Sequence, residues 1–244
     1  MSDPERLPLC AVRFADGVTG RAIASDLEVR SPGGTWSRTS SGIWVLRAAS
    51  SVATDAAPLS VAVTASVVDR GRAYLPRSFT VHVPRVMDGS PDLREIVTVV
   101  LPPSPIAPLR STWAAVRIHA RLAPTSSIPE GTPLEGVAVR LEGTGLGLRC
   151  LTLTNHLGEA LAIGHGIPLL SAGEDDSAIV QPSVQHRVSA VLDPALVDPK
   201  TGRSLGIPDP DDLWARRGSL RRRSRVLSLA VGASVAHVFD FPRS

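Results

Sequence analysis

Arginines cluster in the last third of the chain. Six lie between positions 216 and 225, close to one tryptophan: Trp214, Arg216, Arg217, Arg221, Arg222, Arg223 and Arg225. Guanidinium groups donate several coplanar hydrogen bonds to carboxylates, and an indole adds a flat contact surface. These seven residues are therefore the candidate partner-binding residues. A charged loop that is merely solvated is the alternative.

Nucleic acid is disfavoured as the partner. The formal net charge is only +3. Trp214 is the one aromatic residue near the cluster, whereas proteins that bind single strands usually stack several rings on the bases. Lys200 is the only lysine among the 26 basic residues. Because arginine suits protein interfaces better than lysine, we expect other protein subunits as partners.

Residues that could perform catalysis or bind a metal do not converge in the sequence. The six histidines include no pair at i, i+4 spacing, and His165, between two glycines, fits a turn better than a metal site. Asp175 and Asp176 are adjacent, so their side chains diverge in an extended segment. No nucleophile elbow, phosphate loop or zinc-protease motif occurs. We predict no catalytic, cofactor-binding or metal-binding residues, no cofactor, and no enzyme activity.

The cysteine content and the apolar runs indicate a cytoplasmic protein. Cys10 and Cys150 lie far apart in apolar segments, which predicts buried inert thiols in a reducing compartment. No run reaches the roughly 18 apolar residues of a membrane-spanning helix. Residues 1–6 show no apolar run after a basic segment, so we expect neither a membrane span nor a signal peptide.

Short segments with alternating apolar residues predict an all-β fold. Examples are Ser60–Asp69, Phe79–Pro84, Ile96–Leu101, Val116–Leu122, Val137–Leu141 and Val188–Leu192. Such runs between turn residues are typical of antiparallel β-sandwiches, here two in tandem. Edge strands of such sheets can accept a partner strand.

Prolines divide the chain. Four prolines lie between positions 102 and 108, where they favour an extended spacer. We predict one immunoglobulin-like sandwich at 1–103, a connector at 104–109 and a second sandwich at 110–244. A proline-rich edge strand within one large sandwich is the alternative.

The second sandwich should carry long insertions, at about 164–182 and 193–224. The second insertion contains helix signals: Asp209 as N-cap, Pro210 at the first position, and Asp211 and Asp212 in the first turn. We expect one short helix at about 210–217, within a loop long enough to suggest a function.

A family resemblance rests on a spaced pattern in the first half. The pattern comprises Asp16, Thr19-Gly20, Ile23, Leu27, Val29, Thr39, Ser41-Gly42, Ile43 and Val45, followed by Tyr74, Phe79–Val83 and Ile96–Leu101. It resembles carboxypeptidase-regulatory-like, or transthyretin-like, domains, and a shorter stretch at 133–163 shares it. The resemblance implies a seven-stranded immunoglobulin-like sandwich and brings no catalytic residue.

Three functions compete at this point. The first is a non-catalytic structural or adaptor protein that contacts other subunits of a larger assembly. Its tandem layout resembles accessory components of phage-tail-like contractile injection particles. The second is a module that binds carbohydrate or peptide through loops at one end of a sandwich, although aromatics make up only 4% of the chain. An enzyme is the third and least favoured.

Overall fold

The computed structural model describes residues 7–32, 34–48, 60–84, 96–143, 149–164, 167 and 183–243. Most of the insertion predicted at 164–182 lies outside these residues, as do His165, Asp175 and Asp176. The described residues form an all-β protein with one short α-helix, which confirms the predicted fold class.

Unit 1 comprises Met1–Arg72 and Pro76–Leu101. Its described residues form seven strands: β1 (Leu7–Asp16), β2 (Leu27–Arg30), β3 (Thr35–Arg38), β4 (Trp44–Ala48), β5 (Ser60–Asp69), β6 (Arg77–Pro84) and β7 (Ile96–Leu101). One sheet has the order β3-β4-β1-β7 and the other β2-β5-β6. The rings of Phe14 on β1 and Phe79 on β6 lie 5.6 Å apart, and Trp36 on β3 lies 6.1 Å from Phe79. Aromatic side chains from the two sheets therefore meet in one core.

Unit 2 comprises Ala73–Leu75 and Pro102–Ser244. Its strands in the described part of the chain are β8 (Ala114–Leu122), β9 (Thr132–Pro133), β10 (Ala138–Gly143), β11 (Arg149–Leu153), β12 (Glu159–Gly164), β13 (Val184–Leu192), β14 (Arg221–Leu229) and β15 (Ser234–Phe241). They form one sheet ordered β11-β10-β13-β14 and a second ordered β12-β8-β15, with β9 beside β8. Alternate residues of both sheets, such as Val116, Val139, Val188 and Phe241, are buried in one apolar core.

One strand pair in each unit is parallel rather than antiparallel. β1 pairs with β7 and β8 with β15, so the first and last full-length strands of each unit lie side by side. The other pairs are antiparallel. Alternation of apolar residues reports burial on one face and carries no information on strand direction.

The residues behind the family resemblance form turns. The carboxylate of Asp16 accepts hydrogen bonds from the backbone N–H groups of Val18 and Thr19 at 2.9 and 2.6 Å. In unit 2 the side chain of Asn155 accepts from the N–H groups of Leu157 and Glu159, both at 2.9 Å. Both are turns closed by an Asx side chain, which explains the polar residue at Asp16 in the first half and at Asn155 in the second.

The segment before the predicted connector is integrated into unit 2. Leu75 donates from its backbone to Pro102 at 2.9 Å, and Ser104 donates to Ala73 at 2.8 Å. Pro103 and Pro105 are buried. Proline lacks an N–H, but its carbonyl still accepts hydrogen bonds. Residues 102–104 can therefore pair with residues 73–75. The independence of the two predicted domains, and their limits, stay predictions.

The second predicted insertion, at 193–224, contains two short helical segments. A 3₁₀ turn spans Pro194–Leu196, and helix α1 spans Pro210–Ala215 with Asp209 as its N-cap. The helix confirms the prediction, although it ends two residues earlier. The irregular segment also ends early, because β14 begins at Arg221 and takes in Arg221–Ser224.

A candidate protein-binding surface

The strand register fixes which side chains lie next to each other on the outer face of the sheet β11-β10-β13-β14. Arg140 on β10 lies opposite Ser189 on β13, which lies opposite Ser224 on β14. The next row places Glu142 opposite Arg187. The residues between these positions, such as Val139 and Val188, are buried in the core, so the polar residues point away from it.

Helix α1 covers one end of this face. The Asp209 side chain accepts from the N–H of Asp211 at 3.0 Å, which caps the helix. Leu213 is only 1% exposed and packs against Ala138, Leu153 and Val191. Pro210 is buried as well, and Trp214 packs beside the same cluster, so apolar contacts attach this helix of less than two turns to the sheet.

Attachment of α1 places Trp214 among guanidinium groups. The guanidinium carbon of Arg140 lies 4.7 Å from the centre of the indole, and that of Arg217 lies 5.5 Å from it. These are cation–π distances. The indole Nε1 is buried and has no hydrogen-bond partner among the described residues.

A cavity of about 330 Å³ opens beside this tryptophan. We call it the arginine groove, and its lining residues are Arg140, Glu142, Arg187, Ser189, Trp214, Arg217, Arg222 and Ser224. Four arginines and one glutamate leave a formal excess of three positive charges. Arg140 contacts Glu142 at 2.9 Å, so the carboxylate offsets one of the four cations. The groove is suited to binding negatively charged groups.

The edge of β14 adjoins the groove. β14 is the last strand of its sheet, and the five residues Arg222–Val226 are all exposed, on both faces of the strand. In an antiparallel pair, alternate residues direct their N–H and C=O groups away from the partner strand. Within the described part of the chain, the backbone of Arg221–Leu229 forms no backbone hydrogen bond besides those of its ladder to β13. This edge can accept another strand.

The candidate residues separate into three environments. Trp214, Arg217 and Arg222 line the arginine groove. Arg216 instead forms ion pairs with Asp193 at 3.0 Å and Asp212 at 2.7 Å, which hold the pKa of its guanidinium above its usual range. It therefore links the end of α1 to Asp193, the residue that follows β13, which is a structural role.

The remaining three arginines lie on the inner face of β14. Arg221 donates to the carbonyl oxygen of Pro242 at 2.9 Å, and Arg223 donates to that of Asp240 at 3.1 Å. Both side chains bridge from β14 to the edge of the other sheet. Arg225 is close enough to His237 to lower the pKa of that imidazole, although burial of the ring is the larger cause.

Sequence reasoning identified three of the eight residues that line the groove and missed the other five, among them Ser224. Arg140, Glu142, Arg187 and Ser189 lie 27 or more positions before Arg216 in the chain. Arg140 and Arg187 each occupy a polar position in an alternating strand, which marks them as outward-facing. Only the register of three strands places them beside Trp214 and Arg222.

A second cavity of about 320 Å³ lies at one end of unit 2. Its lining is mostly apolar: Leu122, Leu134, Leu192, Pro194, Val197, Pro199, Arg221 and Arg243. Among the described residues, no group of three or more His, Cys, Asp or Glu side chains could hold a metal ion. No helix in the described part of the chain is long and apolar enough to cross a membrane.

Comparisons with known proteins show only distant similarity. No protein-family model matches the chain, and no curated protein matches it. The Bacillus anthracis TIE protein aligns with 98% of the chain at 8% identity and a TM-score of 0.31. The chain spans 34% of the length of that protein. A mutant of the shaft pilin spaA from Lactobacillus rhamnosus GG aligns over 97% of this chain and 98% of its own, at 8% identity and a TM-score of 0.26. TM-scores this low do not establish a shared fold.

Proposed function

We propose that this chain is a non-catalytic structural or adaptor protein that binds other protein subunits of a larger assembly. The observation that supports the proposal is the edge of β14. Five consecutive residues of this strand are exposed on both faces, and the arginine groove lies beside them. Main-chain hydrogen bonds from an added strand would supply affinity, and the neighbouring side chains would supply specificity.

The proposal extends to a particular kind of assembly. We propose an accessory role in a cytoplasmic phage-tail-like contractile injection particle, with unit 1 as a carboxypeptidase-regulatory-like domain. The two-sheet sandwich of each unit supports the domain part of this proposal, and the buried thiols Cys10 and Cys150, which form no disulfide, support a reducing compartment. Ultracentrifugation of native lysate tests it. The protein should pellet with large complexes, and recovery only as a free monomer would contradict the assembly role.

Proline substitutions test the role of the β14 edge. Ser224 and Arg225 are consecutive, so one directs its N–H toward β13 and the other directs it outward. Proline at the outward position should leave stability nearly unchanged and should abolish binding to the partner. Proline at the inward position should remove a ladder bond and lower the melting temperature.

Ser224→Ala and Arg225→Ala are the matched controls, because they keep the backbone N–H. Both should still sediment with the assembly. If the proline variant that keeps wild-type stability also sediments like wild type, the edge of β14 is not the docking element.

A ligand-binding module is the second candidate function, and the apolar cavity favours it. Residues of the loop 193–199 line this cavity together with Leu122 and Leu134. A mostly apolar lining that includes Arg221 and Arg243 suits a short apolar peptide segment better than a sugar. Micromolar binding of a peptide that is lost in Leu134→Ala would favour this function over the adaptor role.

A further inference from the structure

Side chains on the two faces of β14 give its edge a uniform charge. Arg222 faces outward beside the arginine groove, whereas Arg221, Arg223 and Arg225 face the other side. A strand added beside β14 would continue the pleat, so its side chains would fall next to these two rows. No acidic residue occurs in β14. Any added strand therefore meets positive charge on both faces.

The groove extends the positive charge across the sheet. Arg187 lies on the neighbouring strand in the same outward-facing set, and Arg217 approaches from the turn that follows α1. Ser189 and Ser224 lie opposite each other between them and offer neutral hydroxyl groups. Glu142 is the only carboxylate in the lining, and it already contacts Arg140. A side chain that enters the groove from the β14 edge therefore encounters guanidinium and hydroxyl donors.

From this charge distribution and the unpaired edge, we propose that the partner segment is an extended, acidic peptide. It pairs with the edge of β14 and directs Asp or Glu carboxylates into the arginine groove. The inference rests on the proposed function and specifies its partner. The chemistry that selects the segment is bidentate binding of carboxylate by guanidinium, at positions two residues apart.

A peptide fits these features better than a nucleic acid does. The guanidinium carbons of Arg140 and Arg217 already lie 4.7 and 5.5 Å from the centre of the Trp214 indole, where a stacked base would have to compete with them. The edge of β14 presents alternating N–H and C=O groups, and only a polypeptide backbone matches that alternation.

Fluorescence anisotropy with labelled peptides tests the inference. The probe is an eight-residue peptide that alternates Thr and Glu, and its partner has Gln in place of every Glu. We expect the Glu peptide to bind about tenfold more tightly, with an affinity that falls as salt is raised. The double variant Arg187→Glu/Arg222→Glu should lose this preference and should instead bind a peptide that alternates Thr and Lys.

The double variant Arg13→Glu/Arg21→Glu is the charge-matched control, since both arginines are exposed and belong to unit 1. It should bind the Glu peptide like wild type. Equal affinity for the Glu and Gln peptides would overturn the inference, as would tighter binding of an eight-nucleotide oligothymidylate. If the protein still sediments with a large assembly in either case, the adaptor role stands and only the acidic partner is wrong.

Discussion

Removal of the Leu213 side chain should detach helix α1 from the sheet. Leu213 is 1% exposed and is the most deeply buried side chain with which α1 contacts Ala138, Leu153 and Val191. Leu213→Ala removes three carbon atoms, which corresponds to about 2.4 kcal/mol of lost burial at about 0.8 kcal/mol per carbon. A residual cavity would raise the cost, and local detachment of so short a helix would limit it, so we expect a loss of about 2 to 3 kcal/mol.

Two measurements check this expectation. Urea denaturation followed by circular dichroism gives the change in the free energy of unfolding. Hydrogen exchange resolved by mass spectrometry should show faster exchange across residues 209–217, because the capped helix opens more often. Binding of the Glu peptide should weaken as well, since Trp214 and Arg217 reach the groove only through α1.

Leu205→Ala provides the matched control. Leu205 lies in the same irregular segment and is 69% exposed, so its truncation should change stability by less than about 0.5 kcal/mol. If Leu213→Ala is as stable as Leu205→Ala and exchanges at the same rate over 209–217, Leu213 does not anchor the helix and the reasoning is wrong.

Three further predictions concern single groups. Burial and Arg225 lower the pKa of His237, so the free energy of unfolding should rise with pH between that lowered pKa and about 6.5. In an NMR titration, Arg225→Gln should raise the pKa of His237 part of the way back to its ordinary value. Asp209→Ala should cost about 1 kcal/mol in thermal denaturation because the N-cap of α1 is lost, whereas Asp209→Asn should be nearly neutral. Burial raises the pKa of the Cys10 thiol to about 11, so Ellman's reagent at pH 8 should modify it only after denaturation; rapid reaction in the native protein would contradict the burial.

Strand positions could be predicted largely from local sequence. The segments Ser60–Asp69 and Ile96–Leu101 coincide with β5 and β7 at both ends. Ser60–Asp69 alternates at Val61, Val63 and Ala65, and Ile96–Leu101 is a short run of apolar and β-branched residues that ends at a proline, so the signal is contained in the strand itself. The helix Pro210–Ala215 could also be predicted from local sequence, because its N-cap, proline and acidic residues lie within four consecutive positions.

Strand β14 shows where local patterns fail. Its residues Arg221–Arg225 carry almost no apolar alternation, because the edge of the sheet is exposed on both faces. A segment with no buried face resembles a solvated loop, and we predicted one there. Pairing with β13 along nine residues makes it a strand, and that pairing depends on the rest of the sheet.

The sequence alone determined which residues carry charge and which segments alternate, since both are local properties of side chains. Tertiary structure alone decided which arginines share a surface. Strand register brings Arg140 and Arg187 beside Arg222, although more than thirty residues separate each from it in the chain. The same structure directs Arg221 and Arg223 to the backbone of the other sheet. Side chains that follow one another in a strand point to opposite faces, so a dense cluster in sequence divides into two separate sets in space.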